Sequence, residues 1–171
     1  MGADHLDQAW LTSWRDELDR ALEPFLAAFE SRYGYPPGDN RITSPDDGPT
    51  ARKINAHPDT APDLAPSYQV IYEVLLPDIA NGYYIHPAGH LLDELVYAGP
   101  ARLGGSVSGV VFASDGGGIL YAIAPVGTIY RSTTASRDSG FEVIATDLTS
   151  FLDQLRQAVM RFIATGEPGQ L

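Results

Sequence analysis

Between residues 107 and 145 the chain alternates apolar runs with links too short to contain a helix. Val107 to Ala113, Ile119 to Ala124, Thr128 to Arg131 and Phe141 to Ala145 read as strands. Asp115-Gly116-Gly117-Gly118 and Pro125 to Gly127 read as turns between them. Parallel neighbours need a crossover of a dozen or more residues, usually helical, so these strands are predicted to pair as an antiparallel meander.

Helical patterns flank this region. Leu6, Trp10, Trp14, Leu18 and Leu22 recur every four residues, and Phe25, Phe29 and Tyr33 continue the stripe. Asp7, Arg15, Asp16, Asp19, Arg20 and Glu23 fall on the outward side. Pro24 lacks an amide proton, so a kink or restart is expected there, and Gly34 with Pro36-Pro37 ends the helix. At the other end Leu148, Phe151, Leu152, Leu155, Val159, Phe162 and Ile163 form one apolar stripe. Thr146 or Ser150 can cap that helix, and Gly166 and Pro168 end it. The expected fold is α+β: an antiparallel β-meander of about four to six strands, with the long N-terminal helix and the C-terminal helix packed against the sheet.

The intervening segments are less regular. Residues 36–66 form a Pro/Asp/Gly-rich loop with a turn at Pro45-Asp46-Asp47-Gly48-Pro49 and room for a short strand near Arg52 to Ala56. Pro66-Ser67-Tyr68 opens a predicted helix carrying Val70, Ile71, Val74 and Leu75, stopped by Pro77. Asn81-Gly82 signals a turn, Tyr83-Tyr84-Ile85 an extended piece, and Pro87 to Leu95 one or two helical turns. We read one domain over residues 1–171: a helical extension (1–35), the loop (36–66) and a core (67–165).

Composition narrows the function. The hydrophobic fraction is 44% and the charged fraction 19%, a globular balance. With no cysteine, disulfides, thiolate metal sites and cysteine nucleophiles are excluded. Met1 to Gln8 carry no basic cluster, and no apolar run approaches a membrane span, so a cytosolic protein is expected. Acidic residues outnumber basic ones 22 to 11, a formal charge of -11. Nucleic acid and anionic membranes repel such a chain, and basic partners attract it.

Patterns suggestive of catalysis fail on spacing. Gly116-Gly117-Gly118 lacks the following lysine and helix of a phosphate loop, and the next residues read as strand. Gly104-Gly105-Ser106-Val107-Ser108-Gly109 misses the glycine-x-serine-x-glycine spacing of a nucleophile elbow. Asp46-Asp47 and Asp93-Glu94 are adjacent in sequence, and adjacent side chains diverge, whereas acid/base pairs must face one another. His86 and His90 stand four apart, and Asp93 or Glu94 could complete a metal site on paper. Pro87 and Gly89 between the histidines count against a regular helix, so no metal and no cofactor is expected.

Phe112-Ala113-Ser114-Asp115-Gly116-Gly117-Gly118-Ile119-Leu120-Tyr121-Ala122-Ile123, followed by Gly127-Thr128-Ile129-Tyr130-Arg131, resembles the central hairpin of the SUKH superfamily. Ala145 to Leu155 is similar to that family's final helix. Pro66-Ser67-Tyr68 and Asn81-Gly82-Tyr83-Tyr84-Ile85-His86-Pro87 are a weaker match. The resemblance spans residues 64 to 163; the long N-terminal helix and the loop fall outside it. The superfamily includes fungal regulators of cell-wall synthesis and many bacterial immunity proteins. The resemblance implies a non-enzymatic protein-binding domain, either neutralising a cognate toxin, frequently a nuclease, or serving as a regulatory or scaffolding module. A nuclease site is electropositive, which suits an acidic inhibitor. Candidate contact residues are Tyr83, Tyr84, His86, Asp46, Asp47 and Asp115, tyrosine being favoured at binding hot spots. The oligomeric state is left open.

Overall fold

The computed structural model describes residues 6–44, 53–54, 60–169 and 171. Helices α1 (Gln8–Ala27) and α2 (Phe29–Tyr33) lead into strand β1 (Arg41–Thr43). A short helix α3 (Leu64–Tyr68), β2 (Glu73–Leu76), β3 (Tyr83–Ile85) and helix α4 (Ala88–Ala98) follow. The chain ends with β4 (Ala101–Gly104), β5 (Val107–Asp115), β6 (Leu120–Ile123), β7 (Ile129–Ser132), β8 (Phe141–Ala145) and helix α5 (Leu148–Thr165).

All strand pairs are antiparallel, in the order β1-β2-β3-β5-β6-β7-β8, with β4 also paired to β5. This is the α+β layout expected, with β5 to β8 as a continuous meander. Among the described residues the sheet has eight strands rather than four to six. β1 comes from the Pro-rich stretch, and β2 from the segment read as helix. There α3 stops at Tyr68, and Glu73–Leu76 alternates between half-buried and buried, the period of a strand. The apolar spacing of Val70, Ile71, Val74 and Leu75 fits a helix equally well, but pairing on both edges, to β1 and β3, decides for strand. Of the strand expected near 52–56, only Lys53 and Ile54 are described, and both are helical.

The main core lies between one face of the sheet and helices α1 and α5. Leu11, Trp14, Leu18, Leu22 and Phe25 of α1 are buried, facing Phe151, Leu152, Leu155 and Val159 of α5. The Trp14 indole N–H donates to the Leu152 carbonyl at 2.7 Å, tying the two helices in a buried place. Pro24 stays inside α1, and the restart comes four residues later, at Ala28. α5 is capped by Asp147, whose carboxylate accepts from the Ser150 amide, rather than by Thr146 or Ser150. A register shift in β5 between Val111 and Ala113 lets Val110, Phe112 and Ala113 all reach the main core. Val111 instead joins Ala101, Leu103, Ala122 and Ala124 in a second, smaller cluster.

Candidate functional site

Strand alternation separates the two tyrosines of β3. Tyr83 is buried, and its hydroxyl donates to the Gly169 carbonyl at 3.2 Å. Burial, with the Asp115 carboxylate as a lesser cause, raises its hydroxyl pKa. Tyr84 points to the other face, cross-strand from Leu75 and Ser114, and is half-buried. The Asp115 carboxylate is used locally: one oxygen accepts from the amides of Gly117 at 2.9 Å and Ile119 at 3.0 Å, holding the hairpin turn. Asp46 and Asp47 lie outside the described residues.

His86 follows β3 directly and is held on both backbone groups. Its amide donates to the Phe112 carbonyl at 2.8 Å, and its carbonyl accepts from the buried Tyr68 hydroxyl at 2.7 Å. Its imidazole Nε2 lies 2.8 Å from the Ser114 hydroxyl. Burial, and secondarily the neighbouring His90, lower its pKa to about 4, so the ring is neutral at pH 7. The structure joins Tyr84 and His86 in one groove of about 300 Å³, walled also by Leu75, Ser114, His90 and Glu73.

Pro87, doubted as helical from sequence, is the N-cap of α4, and the helix runs three turns to Ala98. Proline suits the start of a helix because the first amides have no intrahelical acceptor. His90 and Glu94 therefore stand one turn apart, with Nε2 and Oε1 3.4 Å from each other. The His86 and His90 rings are 5.0 Å apart at 89°. Asp93, the other paper candidate, falls outside this cluster and is exposed. Period-four spacing of His86, His90 and Glu94 was the signal available in the sequence.

At the other end of α4, Val96 and Tyr97 are 82% and 90% exposed. Neither was singled out from sequence, where the helical turns were expected to end at Leu95, one residue before this pair. Ala98 then enters a second groove of about 630 Å³, lined by Arg102, Leu103, Arg137, Asp138 and Phe141. The outer face of α4 thus runs from one groove to the other. No helix among the described residues is long and apolar enough to cross a membrane. No protein-family model, curated protein or solved structure matches the chain.

Proposed function

We propose that this chain is a SUKH-type, non-enzymatic protein-binding domain acting in the cytosol as an immunity-type inhibitor of a basic toxin domain. The observation that carries the reading is the open pair Val96 and Tyr97 on the outer face of α4, set between two grooves. A large aromatic left in water beside concave surface is the kind of group that a partner desolvates, and tyrosine is enriched among residues that dominate binding energy. Tyr84, in the groove at the N-terminal end of α4, extends the same surface.

The formal charge of -11 supplies the partner's sign. Asp16, Asp19 and Glu23 on α1 and Asp93 on α4 are exposed. The wider groove is not acidic, since its charges are Arg102, Arg137 and Asp138. Acidity therefore supports attraction and orientation at a distance, and the apolar pair supports adhesion on contact. The mechanism is blockade of the partner's substrate site without turnover.

Tagged chain is used to capture partners from the native host at low and high salt, and each captured protein is assayed with and without one equivalent of this chain. The expected result is a basic protein whose activity falls on addition and whose capture weakens in high salt. Capture of regulatory or envelope proteins alone, with no activity inhibited, would support the scaffolding alternative and remove the inhibitor reading.

A further inference from the structure

We propose that His86, His90 and Glu94 hold a divalent transition-metal ion of the zinc type at the N-terminal end of α4. One ligand atom from each residue lies within 4.8 Å of the other two. The 3.4 Å between His90 Nε2 and Glu94 Oε1 matches the edge of a tetrahedron, about 3.3–3.4 Å for metal–ligand bonds of about 2.0–2.1 Å. Two imidazoles and one carboxylate are a donor set suited to zinc and similar ions, and poorly suited to calcium or magnesium, which take oxygen ligands.

Two further observations point at an ion rather than at a chance cluster. His86 Nδ1 and Glu94 Oε2 are both buried without a hydrogen-bond partner, although buried polar atoms normally have one. A metal at this cluster gives His86 Nδ1 the partner it lacks, and Glu94 offers it either Oε1, the atom beside His90, or the unpartnered Oε2. The second nitrogen of His86 already meets Ser114 Oγ at 2.8 Å, the outer-sphere hydrogen bond that fixes the ring of a ligating histidine. With three protein ligands, a fourth position remains for water or for a donor from another molecule, and the adjoining groove gives access to it.

The full chain, freed of metal by chelation, is titrated with zinc against a chromophoric chelator. Cobalt is used in parallel, because its visible absorption reports tetrahedral geometry. One ion per chain is expected, with a tetrahedral cobalt spectrum and a rise in the thermal midpoint. His90 is exposed and Glu94 half-buried, and glutamine is close in size to each; His90→Gln and Glu94→Gln should each fold normally by circular dichroism and weaken zinc at least tenfold, the scale on which even outer-sphere partners act. Ser114→Ala should weaken it less. A double variant of the two remaining histidines, His5→Gln and His57→Gln, should bind as the wild type does. No uptake by the wild type, or wild-type affinity in both His90→Gln and Glu94→Gln, would overturn the site, as would loss of binding in the His5/His57 variant. None of these outcomes depends on a protein partner, so the site and the inhibitor reading fail separately.

Discussion

Three neighbouring glycines show how differently one residue type can be required. Gly118 has φ +84°, the left-handed region that side chains avoid. Gly116 has ordinary φ, but a Cβ there would lie 1.7 Å from the Asn81 backbone oxygen. Gly117 would meet only the Asp115 carboxylate of its own turn, at 3.3 Å. Gly116→Ala should therefore cost at least about 2 kcal/mol, and Gly117→Ala less than about 1 kcal/mol, in urea unfolding. Equal costs would show that close approach does not select the glycine at 116. Asp147 is a second residue with a defined task. Partial burial alone would raise its carboxyl pKa, but hydrogen bonds from Ser150 and Thr146 outweigh this and hold it below the usual carboxylate range. Because the folded value is depressed, the stabilisation is complete above the unfolded value of about 3.9 and is lost as pH falls through the lower folded value. Asp147→Ala should lose about 1 kcal/mol at pH 7, and the gap to wild type should narrow in strong acid. A gap independent of pH would mean that the carboxylate does not act as the cap.

At the scale of elements, α1 and α5 join through Trp14. Trp14→Phe removes the donor to the Leu152 carbonyl and leaves a cavity in a buried seam, at a cost of about 2–4 kcal/mol measured by thermal or urea unfolding. The same two helices were legible from sequence, because period-four apolar stripes of eighteen or so residues have no other comfortable packing. The meander from β5 to β8 was legible because its turns left no room for another connection. β2 was not: four residues with helical and strand spacing both satisfied are decided by pairing partners distant in sequence. The candidate surface divides in the same way. Tyr84 and His86 could be singled out by type, but which tyrosine of the pair faces outward depends on strand register. Val96 and Tyr97 were hidden because exposure at the end of α4 is set by what does not pack there. Replacing both with serine should leave stability within about 0.5 kcal/mol and lower partner affinity at least tenfold in a titration. A stability loss of several kcal/mol would place them in a packed core instead.

For the molecule as a whole, the helices cover one face of the sheet and leave the outer side of α4 between two grooves, while the chain as a whole carries a formal charge of -11. Charge acts beyond contact distance and apolar area acts at contact, so the two should separate in kinetics: rim charges set the rate of association, and buried anchors set the rate of dissociation. The most direct measurement is the association rate between this chain and the basic protein that it captures, followed from about 0.02 to about 0.5 M salt. A fall of at least tenfold, with the dissociation rate little changed and raised instead by removal of Tyr97, is the predicted result. An association rate that does not respond to salt would contradict the claim that an acidic surface draws in a basic partner.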